Sequence, residues 1–257
     1  MKIISKVKLA FIKLVFRIRS RSVVLCLHSI GDSGLNRQTF EQLIDLFVDL
    51  GYKFPDPSNI ATMPSSKNVI FTFDDGYSDN IDIYESVLRK YNIKPVVFVV
   101  TDFIQGRISI DETKRFGLKP LVNITTEQIL QYKDRVLFAY HTKSHDNLFE
   151  VQLEEYRASF SRDISKFRKL IGDSSPLLFA YPFGYLPKDR ADFESILSNE
   201  GVNFAFTTRW GTVNTTKRFY INRVVVGDRD SVLKIVLKVS GVLDLYSRIK
   251  WRGAMYD

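Results

Sequence analysis

The sequence predicts an α/β fold in which a parallel sheet curls into a barrel. Short runs of β-branched and aromatic residues alternate along the chain with amphipathic segments, which is the pattern of strands joined by helices. The run 69–73 is apolar on both faces, as expected for a strand that is covered on both sides. We identify about seven such strands, and this number favours a barrel near the eight-stranded size.

The strands follow from runs of apolar residues, and the helices follow from their periodicity and their end signals. The predicted strands are residues 22–28, 69–76, 95–100, 135–140, 177–181, 204–208 and 220–226. The predicted helices are residues 39–50, 78–91, 151–171, 189–199 and 231–239, together with a short helix after Thr125. Thr125 and Gln128 form a capping-box pattern at the start of that short helix. Residues 101–124 form a long irregular stretch, and loops of this length inside a compact domain are usually functional.

The net charge of +8 is concentrated at the start of the chain. Residues 1–21 contain seven basic and no acidic side chains, so the remaining residues sum to +1. A nearly neutral body argues against nucleic-acid binding. The single cysteine, Cys26, excludes an internal disulfide and lies in an apolar run typical of a buried thiol.

Residues 2–20 read as a basic amphipathic helix that precedes the main domain. Their apolar residues recur at three- and four-residue spacing. The apolar run Leu9–Phe16, which Lys13 interrupts, is too short for a membrane span and fits a secretory signal poorly. The helix either lies on an anionic membrane surface or packs against the barrel. We favour the membrane because the charge has one sign. The expected organisation is therefore a helix at 1–21 and a barrel domain at 22–257, in a cytoplasmic protein with peripheral contact to the inner face of the membrane.

Two adjacent carboxylates, Asp74 and Asp75, follow the buried strand that begins at residue 69. The C-terminal ends of such strands carry the chemistry of α/β proteins. Two neighbouring acids repel each other, and a bound divalent cation would offset that cost. The alternative is an ordinary Asp-Asp-Gly turn that ends at Gly76.

Two histidines, His141 and His145, follow the strand that ends at residue 140. If the chain turns directly after His141, the two imidazoles come within about 6 Å and can reach one ion. A carboxylate from Asp74 or Asp75 would complete a two-histidine, one-carboxylate set with open positions for water and substrate, which is a catalytic arrangement. The alternative is a chance pair of surface histidines.

Three motifs at strand ends resemble those of one enzyme family. They are TFDDG at 72–76, HTKSH at 141–145 and AYPFG at 180–184. Together and in this order they resemble the polysaccharide deacetylases, the NodB-homology domain of carbohydrate esterase family four, from about residue 22 to about residue 226. The resemblance implies a distorted (β/α)7 barrel.

The resemblance also implies roles for the residues of these motifs. Asp74 would be the catalytic base, and Asp75, His141 and His145 would bind one divalent metal ion. Zinc is the expected metal, with cobalt, nickel and manganese as alternatives. The backbone N–H of Phe183 would face the developing oxyanion.

Three further side chains are candidates for oxyanion or substrate contact. Tyr181 and Pro182 stand beside Phe183 in the third motif. Trp210 lies in the region after the predicted strand 204–208.

Two departures from the family pattern affect the remaining roles. The third motif of the family usually begins with an arginine that pairs with the base, but here that position is Ala180. Arg223 would supply the guanidinium instead, unless it is a solvated or structural arginine. The chain also has no histidine after His145 for the late L-x-H motif, whereas Cys26-Leu27-His28 stands near its start.

The position of His28 resembles that in circularly permuted members such as the biofilm poly-N-acetylglucosamine deacetylases, in which an early strand carries this histidine. The resemblance thus implies a permuted barrel with His28 as the general acid. The alternative is a histidine that caps its strand and bonds to nearby backbone.

The expected function is metal-dependent removal of an N-acetyl group from a GlcNAc-type amino sugar. The expected substrate is a bacterial surface polysaccharide or its lipid-linked precursor. A deformylase or other amidase acting on a lipid-linked sugar is the alternative among enzymes. A glycan-binding module whose catalytic site has decayed is the alternative outside enzymes.

Overall fold

The computed structural model describes residues 20–245, except 33, 105–120 and 174. Within this part of the chain the strands are β1 Val23–Leu27, β2 Val69–Phe73, β3 Val96–Val99, β4 Leu137–Tyr140, β5 Leu178–Ala180, β6 Phe204–Phe206 and β7 Val224–Val225. The α-helices are α1 Arg37–Asp49, α2 Asp79–Ser86, α3 Thr101–Ile104, α4 Thr126–Tyr132, α5 Leu153–Ile171, α6 Arg190–Asn199 and α7 Val232–Val239. The alternation of strand and helix is as predicted.

The seven strands form one parallel sheet in the order β6-β5-β4-β3-β2-β1-β7. The segment before β7 also contacts the opposite edge, because Ile221 pairs with Phe206 in parallel and its N–H donates to the Ala205 carbonyl. Four residues later Val225 pairs with Cys26 of β1. One segment therefore joins both edges, and the sheet matches the distorted (β/α)7 barrel that was predicted.

Side chains that alternate along the strands form two separate cores. The inward-facing residues, among them Val24, Ile70 and Phe98, pack together inside the barrel. Their neighbours, among them Leu25 and Phe71, face outward and pack against the helices. Both faces of the strands are buried, which explains why the strand sequences are apolar throughout.

The structure shortens several predicted elements. The predicted helix 78–91 ends at Ser86 and continues as a 3₁₀ turn over Leu88–Tyr91, which stops at Asn92 with φ of 54°. The predicted strand 220–226 is regular only over Val224–Val225, because its first half crosses to the other edge of the sheet. The capping box of Thr125 and Gln128 is present as predicted.

Two predictions concern residues that the structure does not describe. The predicted N-terminal helix lies, apart from Ser20, outside the described residues, as does most of the irregular stretch 101–124. Of that stretch, Thr101–Ile104 form α3. Among the described helices, none is both long enough and apolar enough to cross a membrane.

Candidate active site

Four of the predicted site residues meet at one end of the barrel because its strands are parallel. His28 follows β1, Asp74 and Asp75 follow β2, and His141 follows β4. All four therefore lie at the C-terminal ends of their strands, the end at which α/β barrels carry their chemistry.

Asp75, His141 and His145 form a cluster whose ligand atoms all lie within 4.8 Å of one another. The Oδ1 atom of Asp75 lies 3.6 Å from Nε2 of His141 and 3.2 Å from Nε2 of His145. This oxygen is buried and faces the two imidazoles, whereas Oδ2 accepts a hydrogen bond from the Tyr77 hydroxyl. A buried acceptor faced by two imidazole nitrogens suits a divalent cation, and the N₂O donor set suits zinc. The residues present therefore fit a metal ion.

The backbone of this cluster is in the left-handed region, which non-glycine residues rarely adopt. Asp75 has φ of 72°, Thr142 of 65° and His145 of 58°. The turn after His141 is held by the Thr142 hydroxyl, which accepts a hydrogen bond from the Asp146 N–H. It brings the imidazole centroids of His141 and His145 to 5.0 Å, the close approach expected if the chain turns. Such local strain is typical of functional sites.

The imidazole of His141 is oriented for metal binding. Its Nδ1 lies 2.8 Å from the Ala180 carbonyl oxygen and must donate to it, since a carbonyl only accepts. That assignment leaves the lone pair of Nε2 facing the two aspartates. Burial lowers the pKa of His141 to about 4, so the ring is neutral near pH 7.

Asp74 is held by an arginine from the far end of the chain. Nη1 and Nη2 of Arg223 donate to the two carboxylate oxygens of Asp74, at 2.6 and 2.8 Å. Both side chains are almost fully buried. Burial opposes ionisation, but the Arg223 charge prevails and holds the pKa of Asp74 below its usual value. The guanidinium that the sequence lacks at position 180 is thus supplied by Arg223 from beside β7.

His28 lies beside Asp74, close to the metal cluster. A ring nitrogen of His28, the Cys26 thiol and a carboxylate oxygen of Asp74 lie within 4.8 Å of one another. The Cys26 thiol donates to Oδ2 of Asp74 at 3.4 Å, a contact that the sequence did not indicate. His28 is half-buried, so its ring is within reach of a bound substrate.

Some residues of the third motif lie at the site, and others lie in the core between the strands and the helices. Phe183 has φ of 58°, and its ring is 48% exposed and lies edge-on to His145 with centroids 4.3 Å apart. Pro182 is buried in the same turn. Tyr181 instead lies in the helix-facing core, and its hydroxyl donates to the Phe219 carbonyl. The side chain of Tyr181 is therefore not placed at the site, because successive residues of a strand face opposite sides.

Trp210 also lies elsewhere. Its ring lies beneath the Lys238 ammonium, 4.9 Å from the centroid, and lines a cavity of about 640 Å³ with Arg190 and Tyr220. The described lining of that cavity includes none of the acids or histidines of the cluster. In the described part of the chain, Trp210 thus lines this cavity, which is also bordered by Gly184 of the third motif.

The chain is similar to known proteins over more than half of its length. The polysaccharide deacetylase family model matches residues 62–202, more than half of the chain. The putative polysaccharide deacetylase YxkH of Bacillus subtilis is 25% identical over 216 residues, which cover 79% of this chain and 70% of YxkH.

Solved structures share the fold. The Streptococcus pyogenes deacetylase PplD in complex with acetate has a TM-score of 0.70 at 19% identity, and the match covers 86% of this chain and 99% of PplD. IcaB from Ammonifex degensii has a TM-score of 0.66 at 22% identity, over 86% of this chain and 97% of IcaB. The chain belongs to the polysaccharide deacetylase family, whose members are generally metal-dependent hydrolases of the N-acetyl amide bonds of glycans.

Proposed function

We propose that this chain removes the N-acetyl group from a GlcNAc-type amino sugar with a single divalent metal ion, zinc in the first place. The observation that carries the proposal is the side-by-side placement of two different acids. Asp75 faces two imidazoles with a buried oxygen, and Asp74 faces a guanidinium. One acid is arranged for a metal and the other for proton transfer.

Hydrolysis of an amide needs an activated water and a stabilised oxyanion. A metal ion held by Asp75, His141 and His145 would lower the pKa of a water molecule and polarise the acetyl carbonyl. Asp74 takes the proton from the attacking water, and Arg223 keeps this carboxylate ionised between turnovers. The backbone N–H of Phe183 donates to the oxyanion.

The leaving nitrogen needs a proton as its bond to carbon breaks. His28 supplies it, since His141 and His145 are committed to the metal and the chain has no other histidine. The half-buried ring of His28 lies beside Asp74, and this proximity supports a joint role of the proton donor and the base on one substrate.

The proposed substrate is a bacterial surface polysaccharide or its lipid-linked precursor. The acetate in the S. pyogenes PplD structure, which shares this fold, supports acetyl rather than formyl removal. A lipid-linked substrate agrees with the second part of the proposal, in which the basic residues 2–20 lie on the inner, anionic face of the membrane of a cytoplasmic protein.

One screen tests the proposal. Zinc-loaded protein is incubated with N-acetylated oligosaccharides and with N-acetylated and N-formylated lipid-linked sugars, and acetate and formate are measured separately. We expect acetate release from the wild type and none from Asp74→Asn, which keeps the size of the side chain but is not a base. Formate release alone would identify a deformylase. Glycan binding without release of either acid would indicate a binding module.

A further inference from the structure

The proton donor His28 stands one residue beyond the last regular pair of its strand. In the β1–β2 ladder Leu27 pairs with Phe73, and the Asp74 N–H donates to the Leu27 carbonyl. After β2 the chain turns away from β1 at Asp75, which has φ of 72°. The pairing of β1 with β2 therefore does not extend to His28, and other contacts must fix the orientation of its backbone.

Two consecutive side chains of α2 form hydrogen bonds to the chain just after the β1–β2 pairing ends. The Asn80 amide donates to the His28 carbonyl at 2.9 Å. The Asp79 carboxylate accepts from the Ser29 hydroxyl and, at 3.2 Å, from the Ile30 N–H. We call Asp79 and Asn80 the α2 clamp, because they hold three successive residues beginning at His28.

Within the clamp Asn80 is buried and Asp79 is half-buried. Asn80 and Ser29 are 1% and 3% exposed, and the Asn80 amide also donates to Asp79 at 2.9 Å. Gly34 packs beneath the loop so closely that a Cβ atom there would come within 2.0 Å of the Ser29 carbonyl oxygen. The loop after His28 is thus restrained by the close approach of Gly34 and by the hydrogen bonds of the clamp.

We propose that Asn80, supported by Asp79, is a positioning residue that sets the His28 ring over Asp74. This rests on the proposed role of His28 as proton donor. The clamp bonds to the chain from His28 to Ile30 and not to the imidazole itself. Both act through the peptide that follows His28, and misplacement of a catalytic group by about 1 Å can cost roughly 100-fold in rate.

A double-mutant cycle tests the proposal in the zinc-loaded full chain. We expect Asn80→Ala to lower kcat by about 10- to 100-fold, with KM and zinc content near those of the wild type. In a His28→Ala background the same substitution should have no further effect on kcat, because the group that it positions is gone. Asp82→Asn, on the exposed side of the same helix, is the matched control and should leave kcat unchanged. Equal losses from Asn80→Ala in both backgrounds would overturn the proposal.

A second readout does not depend on activity. The imidazole resonances of His28, assigned by comparison with His28→Ala, should shift in Asn80→Ala while those of His141 and His145 stay in place. Unmoved His28 resonances would overturn the proposal. If His28→Ala itself turns over like the wild type, the proton-donor role fails, and the resonances still decide whether Asn80 positions the ring. If Asn80→Ala does not fold, Asp79→Asn replaces it in both measurements, with a smaller loss expected because one acceptor oxygen remains.

Discussion

The two halves of the site balance their charges differently. In the metal half, made of Asp75, His141 and His145, a buried oxygen of Asp75 faces two imidazoles, and Asp75 and His145 have backbone in the left-handed region. The proton-transfer half consists of Asp74, Arg223 and His28. There both oxygens of the carboxylate are paired with the guanidinium. The metal half therefore needs a cation from outside the chain, whereas Asp74 already has one from within it.

This difference explains how two adjacent carboxylates can have different functions. Both have lowered pKa values against the opposing effect of burial, but Asp74 owes this first to Arg223 and Asp75 first to His145. The guanidinium of Arg223 stays charged at every pH near neutrality, whereas an imidazole can bind either a proton or a metal ion. Substitutions in the two halves should consequently give different signatures.

Loss of a metal ligand should have the largest effect on activity. We expect His141→Ala to lose bound zinc and to fall to the activity of metal-stripped wild type, because an Asp and one His remain. Metal analysis and turnover after zinc loading measure this. His28→Ala is the matched control, since it removes an imidazole outside the metal half and should keep its zinc. Equal zinc in His141→Ala and wild type would contradict the assignment.

Loss of the Arg223 guanidinium should have the second-largest effect, and it should lower both the stability and the rate. Arg223→Met leaves the carboxylate of Asp74 buried and uncompensated, so the free energy of unfolding should fall by about 3–5 kcal/mol. Denaturant titration at pH 7 measures the change. Adding Asp74→Asn to this variant should recover part of the stability. If the double variant is instead less stable than Arg223→Met, Arg223 does not act through Asp74.

Loss of the proton donor should affect turnover alone. His28→Ala and His28→Asn should lower kcat by about 10²–10⁴-fold, the usual contribution of a general acid. Zinc content and melting temperature should stay near the wild-type values. Wild-type turnover would remove His28 from the mechanism, and lost zinc would move it into the metal half.

The stability of the metal-free protein should depend on pH through His141. Its pKa is about 4 in the folded chain, against 6.5 for an unperturbed histidine, so the unfolded state binds more protons between these values. Acidification through this window should therefore cost up to about 3 kcal/mol of unfolding free energy. Burial raises the pKa of Asp79 to about 6, so acidification stabilises the folded state through this group. Comparing wild type with His141→Gln at each pH therefore isolates the contribution of His141. Parallel curves for the two proteins would contradict the prediction.

Removal of residues 2–20 should have the smallest effect on chemistry. We expect the truncated protein to lose binding to anionic vesicles and to hydrolyse soluble substrates at the wild-type rate. Vesicle sedimentation with anionic and with neutral lipid measures the first property. Aggregation or unfolding of the truncated protein would show instead that the segment packs against the barrel.

Local sequence patterns predicted the strands, and they named three possible metal ligands that the structure brings together. The motifs at 72–76 and 141–145 each combine an apolar strand with its terminal ligands, so the residues that must meet are already at strand ends. The turn at Thr142 could be anticipated because three small or polar residues separate the histidines. Side-chain alternation then excludes Tyr181 from the site, although its neighbours in the motif suggested otherwise.

The proton-transfer half depends on contacts between distant parts of the chain. Arg223 is 149 residues from Asp74, and no local pattern links them. The attachment of the His28 loop to Asn80 likewise appears only when β1 and α2 are side by side. The sequence could name Arg223 as a candidate, because the family resemblance left an arginine unaccounted for at Ala180.

The segment that joins the two edges of the barrel also carries Arg223. During synthesis, residues 22–200 can pair most of their strands before this segment has left the ribosome. Until then Asp74 has no guanidinium partner and cannot be buried as a carboxylate without cost. Completion of the base and closure of the barrel thus become one late event in folding, and we expect a nascent chain that stops before residue 223 to keep an open, protease-sensitive edge and no activity.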